Sequence, residues 1–236
     1  MRKLHLAAVV VTALLAGGCA NKNKQKQSGA GFFRPSKDQA DELNSEHSKF
    51  EKSEDPPIAA HTYFAAGQLS EAQDEPTKAI QQYKLALKQD PNHLQSMYQL
   101  GTLYTQLRMY GEAIATWQQY VKATNGSAVA YGNLGFALEL ARKPREAEEA
   151  FKKGIARDGS EQLCRVNYGL MLTRQDRVDE AIQQLGAVLK PAEVHYNLGS
   201  VYEQQGKKEL AKSEYEKALL MDVNLHDASK RLKGLK

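Results

Sequence analysis

Two consecutive stretches decide the fold: Leu94–Ser127, LQSMYQLGTLYTQLRMYGEAIATWQQYVKATNGS, and Ala128–Glu161, AVAYGNLGFALELARKPREAEEAFKKGIARDGSE. Laid over each other they share a leucine–glycine pair (Leu100-Gly101, Leu134-Gly135), an alanine twelve residues after the glycine (Ala113, Ala147) and a large ring four further on (Trp117, Phe151). The register extends in both directions. Gly67, Gly101, Gly135 and Gly169 recur every 34 residues, and Gly199 follows after 30. Ala79, Ala181 and Ala211 complete the alanine column, and Tyr83, Leu185 and Tyr215 complete the large column.

Each unit reads as two helices. Leu100, Leu103, Tyr104 and Leu107 fall on one helical face, a turn follows around Arg108 to Gly111, and Glu112 to Val121 is amphipathic again. Asp90-Pro91 and Lys190-Pro191 end one helix and restart the chain, because proline cannot continue the hydrogen-bond ladder. A glycine inside a helix costs about 0.5–1 kcal/mol relative to alanine. Repeating it in five units points to close helix packing at the glycine and alanine positions, with the large residues filling the remaining space. A single unit cannot bury its own apolar face, so the units must stack. The tail HDASKRLKGLK, apolar at Ala228, Leu232 and Leu235, reads as the solvating end helix of such an array.

Units of 34 residues with this glycine, alanine and aromatic register resemble the tetratricopeptide repeat family. The resemblance implies an all-α, right-handed α-solenoid of about five helix-turn-helix repeats over residues 58–236. The repeats are read as Ala60–His93, Leu94–Ser127, Ala128–Glu161, Gln162–Pro191 and Ala192–Leu225, with a cap over 226–236. It also implies a groove lined by the first helix of each repeat, where partner proteins or extended peptides bind. Two residues before the glycine, the family often carries asparagine; here the row is Gln99, Asn133, Asn167 and Asn197. Tyr98, Phe136 and Tyr196 fall on the same side as apolar anchors, and Gln68, Thr102 and Ser200 extend the polar lining. The family's co-chaperone members clamp a terminal carboxylate with cations, whereas the matching positions here hold Phe64, Gln68, Gln99, Val129 and Asn133. Two repeats depart from the pattern: Arg165 and His195 stand where an aromatic is usual, which predicts a locally looser or more exposed seam. The shortened spacing before Gly199 predicts a shorter linker and an altered stacking angle.

Ahead of the repeats, Arg2 and Lys3 precede an apolar run from Leu4 to Leu15 and then Ala16-Gly17-Gly18-Cys19. A basic start, a short apolar core and small residues form a secretory signal. Small residues directly before a cysteine resemble a bacterial lipobox, although Ala16 occupies the usual leucine position. The expectation is a signal peptide over 1–18, lipidation of Cys19 and a polar tether over 19–57 ending at Pro56-Pro57. Ala20, rather than aspartate, after the cysteine favours the outer membrane, facing the periplasm. Two or three acyl chains would anchor the protein stably, where one holds only marginally.

Charge and chemistry narrow the function. The net charge of +4 lies in Arg2, Lys3 and the stretch up to Ser53, and the rest carries 23 residues of each sign. A neutral body offers no electrostatic footprint for nucleic acid. The histidines are scattered without metal-ligand spacing, and no phosphate loop or nucleophile elbow is present. With Cys19 lipidated, Cys164 is left as a single thiol and reads as a small buried residue. Asn125-Gly126-Ser127 matches a glycosylation sequon but occupies an inter-repeat turn. The expected protein is therefore no enzyme and takes no cofactor, metal or small-molecule substrate. It is expected to be an envelope-anchored adaptor or scaffold, resembling lipoproteins of pilus and secretion-system assembly. A self-associating envelope protein and a docking factor for peptidoglycan-processing enzymes are the alternatives.

Overall fold

The computed structural model describes residues 59–235. The signal, the Cys19 lipidation and the tether readings therefore lie outside the described residues. Among the described residues there are eleven helices and no strand. The first four are α1 Ala60–Ala72, α2 Pro76–Gln89, α3 Leu94–Gln106 and α4 Tyr110–Ala123. Then come α5 Ala128–Leu140, α6 Pro144–Arg157, α7 Gln162–Arg174 and α8 Val178–Gly186. The series ends with α9 Pro191–Gln204, α10 Lys208–Met221 and α11 His226–Gly234. Each odd helix packs on the even helix after it, and α11 packs on α10. The all-helical solenoid of five pairs with an end helix stands as the sequence predicted.

One turn, used five times, makes the hairpins. Seven residues after each glycine the chain enters the left-handed region: Asp74 (φ 58°), Arg108 (61°), Arg142 (62°), Asp176 (60°) and Gly206 (75°). The next residue's N–H then bonds back five positions, as Met109 N–H does to Tyr104 O at 2.9 Å and Lys143 N–H to Leu138 O at 3.0 Å. This is the Schellman closure, which satisfies carbonyls left over at a helix C-terminus. The same residue starts the second helix, since its carbonyl accepts from the column alanine (Ala113 N–H to Met109 O, 2.9 Å). Pro76, Pro144 and Pro191 open their helices, where a missing N–H costs nothing. Between repeats, Asp90, Asp158 and Asp222 each accept from the backbone N–H two residues on, at 2.8–2.9 Å.

The side chain nearest each recurring glycine is the large residue and not the column alanine, although at Gly169 the Ala181 carbonyl also stands 3.3 Å from the place of a Cβ. A Cβ on Gly135 would lie 2.6–2.9 Å from the Phe151 ring, one on Gly101 2.7–2.9 Å from the Trp117 indole, and one on Gly199 2.8 Å from Tyr215. Gly67 meets Tyr83 and Gly169 meets Leu185 in the same way. The large residue sixteen positions later thus lies against a bare stretch of the first helix, and the column alanines are fully buried in the core. Where the large residue carries a polar hydrogen, the position four after the glycine accepts it. Tyr83 donates to Glu71, Trp117 Nε1 to Thr105 at 3.3 Å, and Tyr215 to Glu203 at 2.7 Å. Phe151 has no such hydrogen, and Glu139 is left to pair with Arg174 instead.

Stacking is visible in a single column, two residues after each glycine. Leu103, Ala137, Met171 and Val201 are at most 6% exposed because the preceding repeat covers them, whereas Leu69, in the first repeat, is 59% exposed. At the other end α11 buries Ala228 against α10, which is the capping the tail was read to provide. Between the third and fourth repeats Cys164 is fully buried in a notch made by two glycines. The place of a Cβ on Gly132 is 3.4 Å from the Cys164 Cα, and the sulfur fills the space beside Gly154. Its thiol donates to Phe151 O at 3.3 Å, and burial, aided by Glu161, pushes it up to about 12. Its full burial between the two glycines makes it a packing residue.

Two expectations change. The four residues missing before Gly199 come out of the second helix: α8 has 9 residues where its counterparts have 14. The seam at Arg165 and His195 is not loose, because both side chains have partners. Arg165 donates to Gly159 O and to Gln184 at 2.8 Å, and His195 Nδ1 lies 2.7 Å from Glu214, which also binds Lys217.

Candidate partner-binding surface

The residues read as a groove row all sit on first helices: Gln68 on α1, Tyr98, Gln99 and Thr102 on α3, Asn133 and Phe136 on α5, Asn167 on α7, and Tyr196, Asn197 and Ser200 on α9. Because α5 touches α7 and α7 touches α9, corresponding positions on these helices adjoin. Gln68 and Tyr98 are exposed; the other eight are half-buried, so every member keeps surface for a partner.

The amides are partly engaged already. Asn133 Nδ2 donates to Val129 O at 3.0 Å and Asn197 Nδ2 to Glu193 O at 2.8 Å, each one turn back on its own helix. That bond fixes the side chain and leaves the Oδ1 acceptor and one N–H of each amide for a ligand. The aromatic members rest on the core rings. Tyr98, 38% exposed, meets Trp117 edge-on at 5.5 Å and Tyr120 at 5.9 Å. Tyr196 lies 5.7 Å from Tyr215, and Phe64, at the same register, 5.8 Å from Tyr83. An aromatic three before the glycine therefore packs edge-on or tilted against the one sixteen after it, a nineteen-residue offset present in the sequence but not used there. Tyr120 is the member of this surface that sequence reasoning missed, and Phe64 joins Tyr98 and Tyr196 as an apolar anchor.

Other side-chain clusters have structural explanations. Glu148 on α6 accepts from Tyr168 on α7 and from Arg177 in the turn before α8, both at 2.8 Å, and Arg177 also holds Glu180 at 2.6 Å. These bonds tie the third repeat to the fourth. The hydrogen bond from Arg177, helped by Lys152 and Tyr168 and opposed by partial burial, holds the Glu148 carboxyl down to about 2. A depressed folded-state pKa gives stability that is full above the ordinary value of 4.5 and is lost as pH falls from there towards 2. Arg177→Met removes the charge and should flatten this part of the profile. In urea titrations the wild type should lose about 1 kcal/mol more than the variant between about pH 5 and pH 2, after screening of a partly exposed pair. Parallel profiles would show that Arg177 does not hold Glu148.

A shallow cleft of about 300 Å³ is lined by Val121, Lys122, Asn125, Gly126, Tyr131 and Arg157. It surrounds the sequon turn, where Asn125 (φ 51°) and Gly126 (φ 71°) are both left-handed and Ser127 caps α5. Arg157 donates to the carbonyls of Asn125 at 2.7 Å and Gly126 at 3.1 Å, so this stretch works as a turn. Among the described residues no three His, Cys, Asp or Glu side chains gather as a metal site. No helix among them is long and apolar enough to cross a membrane.

Comparison with known proteins agrees with this geometry. The chain is 31% identical over 132 residues to the type IV pilus assembly protein PilF of Pseudomonas aeruginosa, covering 53% of this chain and 52% of PilF. It thus spans about half the length of that relative. Among solved structures, MamA superposes with a TM-score of 0.55 at 25% identity, over 68% of this chain and 90% of MamA. PilW, described as a widely conserved type IV pilus biogenesis factor, superposes with a TM-score of 0.55 over 68% of this chain and 76% of PilW. At 18% identity PilW shows the fold alone. Tetratricopeptide repeat profiles match residues 64–128, 133–192 and 192–222, more than half of the sequence and nearly all of the solenoid. With five helical hairpins in one register and these matches over them, the chain belongs to the tetratricopeptide repeat family.

Proposed function

We propose that this protein is a lipid-anchored envelope adaptor that holds a partner protein against the first-helix row and serves the assembly of a pilus or secretion apparatus. The observation that carries the binding reading is the repetition of half-buried amides and ring-supported aromatics at one register along the first helices. Such a surface pairs with an extended backbone and offers rings for apolar anchors. The likeness to PilF supports the pathway, and the signal and cysteine at the N-terminus support the envelope.

A photo-crosslinking amino acid at Tyr98 tests the adaptor reading in living cells, with the same probe at exposed Lys212 on α10 as reference. A discrete crosslinked envelope protein from Tyr98 and none from Lys212 is expected; the reverse pattern would move the binding face to the second helices. Anchoring has its own test. The membrane-extracted protein should begin at Cys19 with acyl chains attached, read by intact mass, and Cys19→Ser should block processing. An unmodified Cys19, or a soluble mature product, would remove the anchor from the proposal.

A further inference from the structure

We infer that the segment this row holds is an uncharged, aliphatic-and-aromatic stretch of the partner, taken from within its chain and not from a free terminus. The inference rests on the adaptor reading above and adds the chemistry of what is bound. Three, two and one positions decide it: those three and two before each glycine and the one after. Across all five repeats these positions hold amides, hydroxyls, rings, aliphatics, one alanine and one glycine, without any Asp, Glu, Lys or Arg. The rest of the solenoid does not share this neutrality, for α6 alone carries Arg145, Glu146, Glu148, Glu149, Lys152 and Lys153.

Charged residues do border the row on the first helices, and these have partners inside the protein. Four after the glycine, Glu71 accepts from Tyr83, Glu139 takes Arg174 in a two-pronged pair at 2.7 and 2.9 Å, and Glu203 accepts from Tyr215 at 2.7 Å. Arg174 is thereby engaged as well, and Glu193 accepts from the N–H of Lys190 at 2.9 Å. A carboxylate or ammonium brought onto the row would give up water against side chains that carry no charge of their own. A terminal carboxylate fails for the same reason. A neutral stretch avoids that penalty. Its peptide groups meet the remaining N–H and Oδ1 of Asn133 and Asn197, and an apolar side chain lands on the exposed face of Tyr98, which Trp117 and Tyr120 hold from behind.

The test uses the full chain and three pools of random peptides, acetylated and amidated so that no terminus is charged. The neutral pool draws on Ala, Leu, Val, Phe, Tyr, Asn, Gln, Ser and Gly; the other two replace a third of the positions with Asp and Glu or with Lys and Arg. The neutral pool should be retained about 10-fold better than either charged pool. Its retention should change less than about 2-fold between roughly 50 and 500 mM salt, since screening acts on charges and not on amide or apolar contacts. Preference for a charged pool, retention that falls about 10-fold with salt, or retention of no pool would overturn the inference. The variant Tyr98→Ala/Asn167→Ala separates the two readings. Charged peptides lost in this variant would sink the chemistry and keep the row; neutral peptides bound undiminished would show that the row is not the site, and the inference fails with it.

Discussion

Gly135→Ala is expected to lower the thermal midpoint by several degrees, while Gly111→Ala raises it. Both residues are helical, so both substitutions remove the backbone-entropy cost of glycine, which is about 0.5–1 kcal/mol. What differs is the space. The new methyl at 135 would stand 2.6–2.9 Å from three carbons of Phe151, inside ordinary van der Waals contact, and that ring is fully buried and cannot swing out. At 111 nothing lies within 4 Å. Overpacking of this kind costs about 1–3 kcal/mol, which outweighs the propensity gain. For a domain of this size each kcal/mol moves the midpoint by about 2–4 °C. In a stacked array the loss should begin locally, so amide exchange should rise first in α5 and α6 and then in their neighbours. If the two variants shift in the same direction, the ring-on-glycine contact is not what the recurring glycine serves.

That contact marks the limit of what the sequence makes legible. The period announces that Gly101, Gly135 and Gly169 need bareness, but it offers two candidates for what fills the space, the alanine at twelve and the large residue at sixteen. The turn geometry decides between them. A single left-handed residue seven after the glycine reverses the chain so tightly that the alanine falls in the first turn of the second helix, and the ring one turn later comes to lie opposite the glycine. Gly206, and more weakly Asp74 and Asp176, advertise that turn by composition; Arg108 and Arg142 adopt the same conformation with bulky side chains, which sequence alone would not suggest. The shortened fourth unit is similar. Its missing residues are countable, yet helix and linker are equally able to lose them until the bonds of Val188 and Leu189 back to Leu185 show α8 ending early. On the binding surface the register of the asparagines was plain from spacing. Their bonds one turn back along the helix were not, because a half-buried amide chooses between its own backbone and a ligand by local geometry.

Replacing Asn133, Asn167 and Asn197 together by alanine should leave the fold intact and weaken partner binding by roughly 10- to 1,000-fold. The fold should survive because the bonds that Asn133 and Asn197 make are to carbonyls of their own helices, and alanine has the better helix propensity. Binding should suffer because each amide keeps an acceptor and a donor pointing away from that internal bond, each hydrogen bond to a partner being worth about 0.5–1.5 kcal/mol. The comparison needs outer-face substitutions that are themselves harmless. Glu148 is unsuitable, since it joins two repeats through Tyr168 and Arg177. Exposed Glu149, Lys153 and Lys212, which make no side-chain bond among the described residues, serve instead. Titrating both triple variants against the crosslinked partner, with circular dichroism melts alongside, separates folding from recognition. If the asparagine variant melts and binds like the wild type while the outer-face variant fails to bind, the partner docks on the second helices, and the first-helix amides serve only their own helices.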